Sequence, residues 1–242
     1  MTPVTLVIGA SSGIGSAVAE QLQTLDKVVY GAGRATQPPS QLQQHWLQLD
    51  FYDPASITQA FETLADTLNE REQRLQQLLI CSGLLHDADT SPERRLGQLR
   101  AEDFSKLMQV NALAPLLLAQ AALPLLSRRE PTRIAAISAR VGSIGDNRMG
   151  GWYSYRCAKA ALNMGWRCLA HELRRSHPSC TPLLYHPGTV DTDLSKPFQS
   201  NVKANKLFSS HQAARYFLEV LEQHGDCAEL AYLDWAGKPI AW

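Results

Sequence analysis

Residues 4–22 read VTLVIGASSGIGSAVAEQL. An aliphatic, β-branched run, a glycine-rich turn and an amphipathic pattern follow one another without a gap. The run 4–8 predicts a buried strand. Residues 13–25 predict a helix, because Ile14, Val18, Leu22 and Leu25 recur at helical spacing. Between them Gly9, Gly13 and Gly15 are spaced G-x-x-x-G-x-G. Glycines let a backbone turn sharply and approach a ligand closely. A helix that begins there offers unpaired N–H groups and the positive end of its dipole to a diphosphate. Gly9, Ser11, Ser12, Gly13, Ile14 and Gly15 are therefore candidate dinucleotide-binding residues. A glycine turn means little alone; its place between strand and helix, at the head of an alternating chain, gives it weight.

The alternation continues along the chain. Strands are predicted at 27–32, 45–50, 75–83, 133–138, 181–188 and 228–233, and helices at 54–70, 101–126, 152–176 and 210–224. Repeated strand–helix units imply a parallel sheet covered on both faces. Right-handed crossovers wind such a sheet in both directions. The expectation is an α/β fold, a Rossmann-type doubly wound parallel sheet of about seven strands, formed by one domain over residues 1–242. The polar stretch 34–43, with Pro38 and Pro39, predicts a loop where such folds usually place a helix.

Composition removes several function classes. Lys and Arg total 23, as do Asp and Glu, so no basic face for nucleic acid is expected. The longest apolar run, 113–127, is too short for a bilayer and holds two prolines. No basic leader precedes the first strand. The expectation is a cytoplasmic protein without membrane association. Cys81, Cys157, Cys168, Cys180 and Cys227 are scattered and odd in number, which predicts reduced, mostly buried thiols. His171 and Glu172 begin a metalloprotease-like pattern, but Arg175 stands where the second ligand is needed, so no metal is expected.

A dinucleotide site also needs a group that reads the ribose. An acid that accepts from the 2′-hydroxyl marks NAD. The second predicted strand instead runs into Arg34. A guanidinium pairs with a 2′-phosphate through two donors, which favours NADP(H) over NAD(H). Asp50, after the third strand, is placed to accept from the adenine amino group.

The segment GGWYSYRCAKAALN (150–163) holds a tyrosine and a lysine four residues apart, Tyr155 and Lys159, on one face of a predicted helix. Tyr153 has only Cys157 at the same offset. A free phenol has a pKa near 10, and a neighbouring ammonium lowers it. The pair suits a general acid that protonates a carbonyl oxygen.

In order and spacing, GASSGIG (9–15), Asp50, VNALAP (110–115), YRCAK (155–159) and HPGTVDTDL (186–194) resemble the short-chain dehydrogenase/reductase family. Residues 142–163 and 233–242 are similar to its C-factor-like and sniffer-like carbonyl reductase branch. The resemblance implies NADP(H)-dependent hydride transfer on a small carbonyl or alcohol substrate, in a homodimer or homotetramer built on the apolar helices. It implies Tyr155 as acid/base, with Lys159 lowering its pKa and holding the ribose, and Asn111 anchoring a proton-relay water. Ser82 and Gly83 would border the adenosine ribose, Pro187 and Gly188 the nicotinamide, and Val190 and Thr192 its carboxamide. The C-factor-like relatives imply an alternative, a non-catalytic NAD(P)-binding regulatory protein.

Two departures stand out. The family usually ends its fifth strand with two serines, the second polarising the substrate carbonyl; here Ser138 is followed by Ala139. Ser138 is the candidate for that role, Ser143 on the next loop is another, and a site without such a serine is the third. The family often has two asparagines where Ile80 and Cys81 stand. The segment 192–210 is expected to cover the substrate, with Trp152, Leu194, Phe198, Leu207 and Phe208 lining the pocket.

Overall fold

The computed structural model describes residues 1–200, 202–225 and 229–242. Cys227, Ala228 at the start of the last predicted strand, and Asn201 in the covering segment lie outside the described residues. Seven strands form one sheet: β1 (Thr2–Ile8), β2 (Val28–Gly33), β3 (Trp46–Gln48), β4 (Gln73–Ile80), β5 (Thr132–Ile137), β6 (Cys180–His186) and, numbered last in the chain, β9 (Ala231–Asp234). Their order is β3-β2-β1-β4-β5-β6-β9, and every pairing is parallel. This is the doubly wound order, reversing beside β1.

Strand periodicity explains both covered faces. Along β1, Leu6 and Ile8 enter one apolar cluster and Val7 the opposite one. In β4, Leu78 and Ile80 face one way and Leu79 the other. In β5, Ala135 is turned against Ile134 and Ala136. Side chains that alternate on a doubly covered sheet are apolar on both faces, which is why the central parts of these strands read as short aliphatic runs. Helices α1 (Gly13–Thr24) and, at the end of the chain, α6 (Ser210–His224) cover one face. The other is covered by α2 (Pro54–Glu70), α4 (Ala114–Ala122) and α5 (Tyr153–Ser176), with α3 (Ala101–Met108) packing against α5.

Local signals set the helix ends. Asp53 accepts from the Ala55 N–H and Pro54 opens α2. Ser209 and Gln212 form a reciprocal capping box on α6, which ends at Gly225 with φ 62°.

Four expectations change. The helix predicted over 101–126 is interrupted: α3 passes into a π-helical turn, Gln109–Leu113, then α4, then a 3-10 turn, Leu123–Leu125. Pro115 has no N–H for the Asn111 carbonyl and its ring crowds that carbonyl, so the ladder widens there. Helical residues run continuously from Ala101 to Leu125, long and apolar enough to cross a membrane, unlike the shorter run read from sequence; half of the most apolar window is buried within the fold. Finally, a small parallel pair, β7 (Thr189–Val190) with β8 (Leu207–Phe208), was not anticipated, because two-residue strands carry no period. Of the described cysteines Cys180 is buried, but Cys157 and Cys168 lie on the exposed face of α5, contrary to the buried reading.

The turn after β1 tolerates no side chain at its third glycine. A Cβ on Gly15 would stand 2.3 Å from the Gly9 carbonyl oxygen, a backbone atom that cannot swing aside. Gly15→Ala is expected to destabilise by at least about 2 kcal/mol, lowering Tm by roughly 4–8 °C for a chain of this size. Thermal unfolding followed by circular dichroism checks it; an unchanged Tm would contradict the packing described.

Candidate active site

The carboxyl ends of the strands surround one large cleft of 1070 Å³. Ligands of doubly wound sheets bind at such a crevice. Its floor at one end is the turn after β1: Gly9, Ser11, Ser12, Gly13 and Ile14 all line it. Ser12 precedes α1 without a capping side-chain bond, so the first amides of the helix have no side-chain acceptor. Gly15 lies beneath the turn rather than on the wall, and acts by letting α1 approach Gly9.

Arg34 leaves the end of β2 exposed at the cleft mouth, and Asp50 follows β3 on the same wall. Among the described residues no ion pair engages Arg34. Ser82 and Gly83 lie at the end of β4, and the Ser82 hydroxyl is buried with no hydrogen-bond partner. Pro187, Gly188, Val190 and Thr192 line the far wall. Thr192 reaches across to the glycine turn, its Cγ2 being 3.3 Å from where a Cβ on Gly13 would sit.

Tyr155 and Lys159 share a face of α5, both buried, at 7% and 2% exposure, and both on the cleft wall. The Lys159 Nζ lies 5.8 Å from the centre of the Tyr155 ring and donates to the Ile137 carbonyl at 2.9 Å. Tyr153 does not reach the cleft. Burial raises the Tyr155 phenol above its ordinary value, with Tyr232 adding to the shift, and pulls the Lys159 amine down to about 7. The lysine was expected to make the phenol more acidic; within this cleft desolvation dominates and pushes both groups toward neutrality.

Asn111 does not line the cleft. It is fully buried in the π-helical turn, where its Oδ1 accepts from the Leu84 N–H at 3.0 Å and its Nδ2 donates to the Leu84 and Leu107 carbonyls. Both side-chain donors are used, so the side chain fixes the strand end rather than presenting a donor to water.

The serine question has a geometric answer. Ser138 is on the cleft wall, but its only proton is donated to Asn163 Oδ1 at 2.6 Å. A hydroxyl so engaged has no donor left for a carbonyl. The Ser143 hydroxyl accepts from the Asp146 N–H, away from the cleft. Ala139, on the cleft wall, packs against the buried cluster that holds Tyr155. The polarising role expected of Ser138 therefore has no donor in this arrangement.

Beyond Tyr155 the wall is apolar. Trp152, Leu194 and Phe198 line it as expected, whereas Leu207 and Phe208 form β8 outside it. Leu85 and Val141 join this wall without any signal in the sequence that separates them from core residues. His186 ends β6 on the cleft wall with an unpartnered Nδ1, and burial holds it near 4, hence neutral.

Lys159 gives the apoprotein a pH signature. Its ordinary pKa is 10.5 and its folded value about 7. Between those values the unfolded chain holds a proton that the folded chain has released, so stability rises with pH across that window. Lys159→Met should flatten this part of the profile. Urea midpoints measured across the window check it, and an unaltered slope in the variant would contradict the burial described.

The family model of the short chain dehydrogenases matches residues 3–203. The 1-hydroxy-2-glutathionyl-2-methyl-3-butene dehydrogenase of Rhodococcus sp. strain AD45 is 32% identical over 193 residues, 80% of each chain. The C-signal protein of Myxococcus xanthus is 31% identical over 147 residues, 61% of this chain and 83% of that one. The NADPH-bound carbonyl reductase from chicken fatty liver superposes with a TM-score of 0.82 at 28% identity, covering 100% of this chain and 99% of that one. With the glycine turn, the sheet order and this match in agreement, the chain belongs to the short-chain dehydrogenase family of oxidoreductases.

Proposed function

We propose that this chain, folded as one domain, is an NADP(H)-dependent oxidoreductase acting on a carbonyl or alcohol, with Tyr155 as its acid/base. The observation that carries the reading is the buried Tyr155–Lys159 pair on the wall of a cleft that begins at a glycine turn. The cleft fits a dinucleotide: the α1 amides would hold its diphosphate, and the orphaned Ser82 hydroxyl its adenosine ribose. Arg34, on the cleft wall, would pair with a 2′-phosphate and Asp50 with the adenine. Pro187, Gly188, Val190 and Thr192, on the far wall, would border the nicotinamide half. The chicken relative's bound NADPH supports this choice of coenzyme. When bound, the coenzyme supplies or accepts the hydride.

The chain supplies the rest. A neutral phenol is the form a proton donor needs, and burial keeps Tyr155 neutral. Lys159, when charged, stabilises the phenolate left after transfer and can hold ribose hydroxyls while anchored on the Ile137 carbonyl. With Ser138 engaged by Asn163, Tyr155 is the donor to the carbonyl oxygen in this reading. The apolar wall of Trp152, Leu194 and Phe198 excludes water and favours substrates with an apolar flank. Leu113 and Met164 leave apolar surface exposed, at 45% and 65%, on the helices where a second copy would pack in a homo-oligomer.

Incubation with NADPH and a panel of aldehydes, ketones and diketones, following coenzyme absorbance, should show turnover. Tyr155→Phe should reduce kcat by at least about 10²-fold while leaving NADPH affinity intact. Turnover that survives in this variant would sink the assignment. Ala139 beside Tyr155 and the C-signal relative favour one other reading, a nucleotide-binding regulator without chemistry. Tight NADPH binding with no turnover on any carbonyl is its outcome. Coenzyme choice is read separately. Arg34→Ala removes charge-assisted bonds and should weaken NADPH by about 10- to 100-fold while hardly changing NADH. Equal losses for the two would contradict the role given to Arg34.

A further inference from the structure

α5 begins without a cap of its own. Gly150, Gly151 and Trp152 precede it with φ of 65°, 64° and 51°, three left-handed residues in succession. Trp152 occupies the capping position, and its side chain makes no capping bond. An aromatic residue in this region is strained, and such backbone persists only where its surroundings hold it.

Glu93 provides that hold from a loop between β4 and α3. Its backbone carbonyl accepts from the Trp152 N–H at 2.5 Å. Its carboxylate accepts from the Ser154 N–H at 3.2 Å and from the Ser154 hydroxyl. Glu93 is 4% exposed, and no ion pair among the described residues neutralises it. A buried carboxylate without a cation is costly unless donors and a dipole stabilise it. Here both come from the first turn of α5. The approach is close: a Cβ on Gly151 would stand 3.3 Å from the Glu93 carbonyl oxygen.

The clamp lies next to the reacting groups without touching the cleft. Ser154 immediately precedes Tyr155. The Trp152 ring packs edge-on to Tyr155 at 6.3 Å and to Phe198 at 5.0 Å. We infer that Glu93 is a positioning residue, a cap delivered by a remote loop that fixes the first turn of α5 and, through it, the Tyr155 hydroxyl and the Trp152 wall. The inference rests on the reading of Tyr155 as the acid.

The test compares wild type with Glu93→Gln, which keeps one acceptor without the charge, and Glu93→Ala, which keeps neither. Two readouts are taken: steady-state kinetics with NADPH and the best carbonyl of the panel, and amide hydrogen exchange. Expected are losses in kcat of about 10-fold for Gln and nearer 10²-fold for Ala, with NADPH Kd unchanged. Amides of residues 153–157 should exchange at least about 10-fold faster, while those of α1 do not change. A purely architectural staple would behave otherwise, lowering Tm alone, or weakening coenzyme binding in step with kcat; either result overturns the proposal. So does an Ala variant whose kcat stays within about twofold of wild type. If Glu93→Ala does not fold, Ser154→Ala removes one of the two carboxylate contacts and should give the smaller, Gln-like loss. If wild type reduces no carbonyl, the Tyr155 reading has failed, and exchange at 153–157 still decides whether Glu93 caps the helix.

Discussion

A lysine buried to 2% exposure sits at the centre of this molecule, and much of the site is arranged around its cost. An ammonium withdrawn from water is held only where acceptors reach it. The Ile137 carbonyl, at the very end of β5, is that acceptor. It is available because β5 stops there and the next ladder bond is donated one residue later, from the Ser138 N–H to Tyr185. The position of α5 over the carboxyl end of the sheet is thus tied to the point where a strand runs out. Tyr155, one turn earlier, is carried to the cleft wall by the same constraint. Burial pulls the amine down to about 7, which leaves its protonation near neutrality sensitive to whatever anion or cation enters the cleft beside it.

Much of this could be read from the residues because the dominant signals are periodic. A sheet covered on both faces favours apolar residues at successive central positions, and residues 6–8 of β1, 78–80 of β4, 134–137 of β5 and 183–184 of β6 supply such runs, while the polar residues of β4 gather toward its start. The glycine turn is legible because its third glycine is forced by backbone contact rather than by fashion of composition. Arg34 and Asp50 could be placed because each simply follows a strand into the cleft. What escaped is what depends on side-chain hydrogen bonds between distant segments. Nothing in a serine–alanine pair says that Asn163, 25 residues on, will take the serine's proton. Nothing in SPERRL says that its glutamate will be buried under a helix 61 residues later. The same limit applies to Asn111, expected to anchor a relay water: nothing in VNALAP says that both of its side-chain donors are taken by Leu84 and Leu107. The break between α3 and α4 was missed, because a proline inside an apolar run fits both a helix start and a widened turn.

The cleft joins two kinds of construction. At the end lined by the glycine turn, the wall is built from the sheet itself: a turn packed against its own carbonyl, the start of α1, and the residues that follow β2, β3 and β4. Such a surface is fixed by the sheet and moves only if the sheet does. At the Tyr155 end the wall is assembled from loops. Leu85 follows β4, Val141 follows β5, Trp152 stands on a left-handed turn, and Leu194 and Phe198 belong to the segment after β7. Rings in edge-on contact, His86 with Phe198 and Phe198 with Trp152, link three of these loops to one another, and Trp152 and Phe198 also pack against the small buried cluster of Leu85, Leu107, Tyr155 and Ala158. Stability in a protein is uneven, and loop surfaces open at lower free energy than sheet-borne ones. In the proposed function this makes a division of labour: the dinucleotide would be recognised by the sheet-borne end of the cleft, while the shape presented to the second reactant would depend on the loops. Coenzyme preference should therefore resist sequence change in the covering segment, and the range of substrates should not.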